Sequence, residues 1–197
     1  VWDPATQRVA RSIRADVTGI VVHAVSADGS RIAGASTTAV KVWDATTGEE
    51  LLAVERAGGR RPDGNAVALS RDGGLLAAAL GGSRVEVWDV TARDRLLAVE
   101  ADPLAGCVGI TPDGKVLVAA GVRHYRVRSW DVASGKELNV YGGYVRRVRS
   151  IAFDGSGRTM VTGSGDGSVA VWDVSTRSRT HTFDAVEGSV ASVAVSR

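Results

Sequence analysis

The sequence predicts an all-β fold: a β-propeller of four-stranded antiparallel blades, four of them complete, with partial blades at both ends of an incomplete ring. Two observations predict it. The dipeptide Trp-Asp recurs at Trp2, Trp43, Trp88, Trp130 and Trp172, at intervals of 41, 45, 42 and 42 residues, and these are all five tryptophans in the 197-residue chain. A rare residue locked to a period of about 40–45 residues marks an internal repeat the size of a propeller blade. Between the tryptophans, short apolar or alternating runs are separated by Gly and Asp turns, and no stretch shows a helical period.

The second complete copy shows the elements in order. Residues 65–70 alternate as a half-buried strand does. Arg71-Asp72-Gly73 then makes a tight turn, because Gly tolerates positive φ and Asp bonds its own backbone. Residues 75–80 are apolar throughout, as expected of a second strand covered on both faces. Gly81, Gly82 and Ser83 turn the chain, residues 84–88 alternate up to Trp88, and residues 95–99 form the fourth strand. The first turn recurs as Ala27-Asp28-Gly29, Pro112-Asp113-Gly114 and, displaced, Gly155-Ser156-Gly157. Complete blades are therefore expected at 18–54, 64–99, 106–141 and 148–184. Residues 1–14 would end an earlier blade and 189–197 would open a later one. An open ring leaves unpaired edges that invite aggregation, so further blades are expected in a longer parent chain.

Composition narrows the chemistry. The net charge is only +2, and of 24 basic residues just Lys41, Lys115 and Lys136 are lysines. Arginine accompanies abundant Ala, Val and Gly, which fits a coding bias better than a polyanion-binding signal, so nucleic acid is not an expected partner. The single cysteine, Cys107, cannot form an internal disulfide and fits a reducing compartment, so a cytoplasmic location is expected. No run approaches the ~18 apolar residues of a membrane helix.

The sequence offers no catalytic constellation. His23, His124 and His181 are the only histidines, and no Cys-x-x-Cys or His-x-x-x-His occurs, so no metal or cofactor is expected. The glycine-rich stretch 163–167 precedes a strand and not a helix, so it reads as a turn and not as a phosphate cradle. The regular tryptophans read as core packing, not as a stacking platform for bases.

Residues 160–173, ending in Val-Trp-Asp, resemble the WD-repeat (WD40) β-propeller family, and the resemblance covers essentially the whole chain. In that family a third-strand Trp, a second-strand Ser or Thr, a turn Asp and a His before the first strand form a hydrogen-bonded tetrad. Trp172, Ser164 and Asp166 match three of those positions, and Gly143 stands where the His would be. Trp43, Trp88 and Trp130 repeat the structural Trp, but the turns at 36–38, 81–83 and 122–124 lack the Asp. Apolar packing between blades is therefore expected to carry more of the stability. The Ala- and Arg-rich composition resembles bacterial members.

The resemblance implies a non-catalytic scaffold or sensor for protein or peptide partners, such as the regulatory region of a larger multidomain protein. Two alternatives stay open. An enzyme with its active site in the central channel would need titratable residues where Val22, Val67, Val108 and Ile151 stand. A module for anionic ligands, phosphopeptide or nucleic acid, would use loops. In a propeller the loops from strand four to the next strand one share a face with those between strands two and three. That face would carry Arg56, Arg60, Arg61, Arg123, His124, Tyr144, Arg146 and Arg147 as a candidate ligand surface, diluted by Glu55, Asp63, Glu100 and Asp102. Planar guanidinium groups grip carboxylate and phosphate in bidentate fashion.

Overall fold

The computed structural model describes residues 2–3, 6–9, 12–13, 19, 22–56, 66–102, 105–184 and 187–196. Among them lie four four-stranded antiparallel sheets and one two-stranded sheet, with no helix. The two-stranded sheet pairs β1 (Trp2–Asp3) with β2 (Arg8–Val9). Blade 1 runs β3 (Val22–Val25), β4 (Arg31–Ala35), β5 (Ala39–Asp44), β6 (Glu50–Glu55). Blade 2 runs β7 (Val67–Leu69), β8 (Leu75–Gly81), β9 (Arg84–Asp89), β10 (Arg95–Glu100). Blade 3 runs β11 (Cys107–Ile110), β12 (Val116–Ala120), β13 (Val127–Asp131), β14 (Glu137–Tyr141). Blade 4 runs β15 (Val148–Phe153), β16 (Thr159–Ser164), β17 (Ser168–Asp173), β18 (Ser178–Asp184). Each sheet is a simple meander, so its strand order follows the chain.

Neighbouring blades share their cores. One cluster joins Val40, Val42 and Leu52 of blade 1 to Leu76, Ala78 and Leu80 of blade 2. A second joins Val85 and Val87 to Leu117, Ala119 and Trp130 of blade 3. A third joins Val118, Val127 and Tyr141 to Met160, Ala170 and Trp172 of blade 4. Alternation explains this: odd and even positions of a strand point to opposite faces, and each face of an inner strand meets a different neighbour.

The first turn of each blade is a hydroxyl–carboxylate clasp. Ser26 donates to Asp28 at 2.6 Å while accepting the Arg31 N–H at 2.9 Å. Ser70 with Asp72 and Leu75, and Thr111 with Asp113 and Val116, repeat it. In blade 4 the two residues change places: Ser156 donates to Asp154 at 2.6 Å, and Asp154 accepts the Thr159 N–H at 3.0 Å. The Gly157 N–H bonds the Asp154 carbonyl just as Gly29, Gly73 and Gly114 bond theirs. This turn is thus in register with the others, not displaced.

The Asp of each Trp-Asp pair caps the turn from strand three to strand four. Asp44 accepts the N–H groups of Thr46 and Thr47, and Asp89 those of Thr91 and Ala92. Asp131 takes the N–H and hydroxyl of Ser134, and Asp173 the Thr176 N–H and Ser175 hydroxyl. Four residues after the Asp the backbone is left-handed in all five copies: Gly48, Gly135, Gln7, Arg93 and Arg177 have φ of 78°, 70°, 54°, 61° and 60°. Opposite each Trp of the four blades the fourth strand then carries a β-bulge, with Leu51, Leu96, Leu138 and Thr180 as the extra residues.

Two predictions follow from these turns. A side chain in the left-handed region costs about 1–2 kcal/mol, partly offset by the greater chain entropy glycine loses on folding. Arg93→Gly should therefore raise stability by about 0.5–1 kcal/mol and Tm by roughly 2 °C in a thermal melt. The carboxylates of Asp28 and Asp173 are held at about 2, chiefly by the Ser26 and Ser175 hydroxyls, and those of Asp44 and Asp131 are also lowered. Their folded-state values lie below the unfolded ones, so their stabilisation is present above pH ~4 and disappears as pH falls toward ~2. Chemical denaturation across that window should show a loss of stability, with a smaller loss in Asp173→Asn.

Candidate functional site

The fourth-blade polar network centres on Thr162 and not on Ser164. The Trp172 indole N–H donates to the Thr162 hydroxyl at 3.2 Å, and the Tyr144 hydroxyl lies 2.7 Å from the same oxygen. Ser164 instead donates to the Arg146 carbonyl at 3.3 Å. The register explains the correction: Met160 sits opposite Trp172, so the indole reaches the side chain two residues on, which is Thr162. Ser164 shares that alternation but lies a further two residues along the strand. Asp166 accepts from the Ser168 N–H and hydroxyl and from the Val145 N–H, which fixes the loop rather than the Trp. Arg179, on outer strand β18, donates to the Gly142 carbonyl at 2.5 Å and stacks its guanidinium 4.7 Å from the Trp172 ring centroid. A side chain at Gly143 would collide with that guanidinium, whose Nη2 lies 2.5 Å from the Cβ position. Arginine from the outer strand therefore covers the Trp where a side chain at 143 would otherwise stand.

The candidate ligand surface is only partly solvent-facing. Arg56 is a clasp between blades 1 and 2: its Nε donates to the Ala79 carbonyl at 3.2 Å and its Nη1 to the Ser36 carbonyl at 2.8 Å. Burial lowers its pKa from the ordinary guanidinium value. Tyr144 is likewise buried, and burial pushes its phenol up to about 12, so it is a core residue and not a ligand contact. Arg60 and Arg61 lie outside the described residues. Arg123 and His124 are exposed in the β12–β13 loop, and Arg146 is exposed and Arg147 half-buried before β15. His124 Nδ1 lies 3.6 Å from Asp102 Oδ1, across the junction of blades 2 and 3. Arg126, exposed in the same loop as Arg123, joins this end of the molecule as an addition to the expected set.

The first strands surround a cavity of about 400 Å³. Val67, Leu69, Val108, Ile110, Ile151 and Phe153 line it, with His23, Arg71 and Asp154 as its ionisable groups. Among the described residues, no cluster of three or more His, Cys, Asp or Glu could hold a metal ion. No helix among them is long and apolar enough to cross a membrane. Cys107 is buried at the start of β11.

The WD domain, G-beta repeat family model matches residues 135–173, the last turn of blade 3 through the Trp-Asp of blade 4. That stretch thus matches a WD repeat, and the chain is similar to WD-repeat proteins. It is 36% identical over 84 residues to the Target of rapamycin complex subunit wat1 of Schizosaccharomyces pombe, covering 43% of this chain and 27% of that protein. It is 31% identical over 72 residues to the Periodic tryptophan protein 2 homolog of the same organism, covering 36% and 8%. The Target of rapamycin complex subunit LST8 of Mus musculus is 30% identical over 76 residues, covering 39% and 23%. These alignments span about a quarter or less of each relative's length.

Blades 2 and 3 surround their tryptophans differently. In blade 2 the Trp88 indole donates to Glu86 Oε2 at 2.8 Å, while Arg84 and Arg95 donate to Oε1 at 2.5 and 3.1 Å. Glu86 is fully buried, between Ala78 and Ala98 on the adjacent strands, and those small residues leave room for it. The alternation of residues 84–88 placed Glu86 on a strand, but nothing local marked it as an indole acceptor. In blade 3 the Arg128 guanidinium lies 5.0 Å from the Trp130 ring centroid and pairs with Glu137.

The two serine and threonine assignments can be separated by substitution. Thr162→Val leaves a buried indole N–H and a buried phenol without their shared partner, and should cost about 1–3 kcal/mol in denaturant unfolding. Ser164→Ala, which removes one long bond to a carbonyl, should cost clearly less.

Proposed function

We propose that this chain is a non-catalytic interaction scaffold whose loop face, at the end carrying the β12–β13 and β14–β15 connections, recognises an anionic segment of a protein partner. The observation that carries this reading is the placement of Arg123, Arg126 and Arg146, exposed on two successive loops of rigidly packed blades. Loops on a rigid scaffold can vary without disturbing the core, which suits recognition. Two of the similar proteins are named as subunits of a Target of rapamycin complex, which supports a role in assemblies for this chain as well. A sensor or regulatory role within a longer multidomain protein, with further blades and a cytoplasmic location, completes the reading.

Affinity capture with the full chain tests it. Arg123→Glu, Arg126→Glu and Arg146→Glu together should reduce recovery of bound proteins about tenfold or more relative to wild type, with thermal stability retained. Unchanged recovery would remove the arginine face while leaving the scaffold reading intact. Tight, strongly salt-dependent binding of a labelled DNA or RNA would favour the nucleic-acid alternative instead.

A further inference from the structure

At the opposite end of the blades, a cleft of about 310 Å³ opens between blades 3 and 4. Its floor is apolar, built from Val116, Leu138, Tyr141 and Val174. Its charged lining is Lys115, Arg158 and Arg177 against the single carboxylate of Asp113. Lys115 already faces Asp113 at 3.5 Å, and Arg177 spends one N–H on the carbonyl of the bulged Leu138 at 2.7 Å. That bond ties the blade 4 turn to the outer strand of blade 3 and fixes the cleft's wall.

One position in the repeat distinguishes this cleft from its counterparts. The residue that follows each first turn packs toward the turn glycine of the next blade. Between blades 1 and 2 the Arg31 stem comes within 2.4 Å of where a Cβ on Gly73 would stand. Between blades 2 and 3 Leu75 Cδ1 comes within 2.6 Å of the same point on Gly114. Between blades 3 and 4 the position is Val116, one methylene shorter, and the three atoms nearest the Gly157 point belong to Pro112 and Thr111. The hollow between blades 2 and 3 also has the opposite charge balance, with Asp72, Asp89 and Asp113 against Arg71.

From this juxtaposition of an unfilled apolar floor with an excess of cations, we infer that the blade 3–blade 4 cleft binds an extended acidic segment of a partner protein through one apolar side chain. The apolar side chain sits over Val116, Leu138 and Val174, and flanking carboxylates meet Arg158 and Lys115. Apolar floors with a few placed charges are the usual composition of ligand clefts, and the cationic rim selects acidic over basic sequence. This site is separate from the arginine loop face.

The probe is a fluorescein-labelled peptide, Glu-Asp-Glu-Leu-Glu-Asp-Glu, titrated with the full chain and followed by fluorescence anisotropy. Saturable binding is expected, weakened about tenfold by V116L, which installs the residue blade 2 already carries, and by the surface change R158E. R8E, the same charge change on the exposed two-stranded sheet and outside both surfaces, should leave it unchanged. Replacing the peptide's Leu with Ser should weaken binding to a similar degree. Absence of saturable binding to wild type, equal affinity for the Ser peptide, unchanged affinity of V116L with its melting temperature retained, or tighter capture of an oligothymidylate would each overturn the assignment.

Discussion

A four-stranded blade cannot bury both of its faces alone, and that constraint organises this molecule. Each inner strand sends alternate side chains to two different neighbours, so every apolar cluster belongs to two blades. Stability in such an array is shared between units and nearest-neighbour interfaces. The apolar rows consequently vary least in character: Val40 and Val42, Val85 and Val87, Leu117 and Ala119, Met160 and Ala170 are all buried. Polar positions have more freedom, because a blade needs its tryptophan packed but can satisfy the indole in several ways. Blade 4 uses Thr162 as the indole's acceptor and blade 2 uses Glu86 braced by two arginines, while in blade 3 Arg128 covers the face of the Trp130 ring.

The turns carry a second constraint, which is local. A carboxylate or hydroxyl must occupy the inner corner of the first turn, and Asp154 with Ser156 shows that the two groups can trade positions. After each Trp-Asp the chain must enter a left-handed conformation. Glycine meets that need in two copies, while Gln7, Arg93 and Arg177 meet it against steric cost. At Arg177 the side chain gives something back through its bond to the Leu138 carbonyl in the neighbouring blade.

These two constraints explain what was legible in the sequence. The Trp-Asp period, the Asp-Gly turns and the alternation of residues 84–88 are local signals, and they locate the strands and the meander. The β-bulge opposite each Trp was not legible, because one extra residue in a fourth strand leaves no composition mark. Ser164 and Thr162 could not be told apart by alternation, since both point to the same face and only the pairing of Met160 with Trp172 separates them. Arg56 and Tyr144 fall in loops that predict exposure, yet inter-blade packing draws one onto two carbonyls and the other into the core. The stacking of Arg179 on Trp172 left no local mark, because it depends on Gly143 leaving the space open.

Function in a repeat protein is best sought where one copy departs from its siblings. The loop arginines of blades 3 and 4 are such a departure, as the equivalent turn of blade 2 holds only Gly82 and Ser83 between its strands. The blade 3–blade 4 cleft is another, with Val116 at a position where its siblings carry Leu75 or the stem of Arg31 and with an excess of cations in its lining. Neither departure disturbs the shared clusters. Val116 is only partly buried at the margin of its cluster, and Arg123 and Arg146 lie on loops beyond the strand ends. Recognition can therefore diverge at both ends of the blades while the inter-blade packing that defines the fold stays the same.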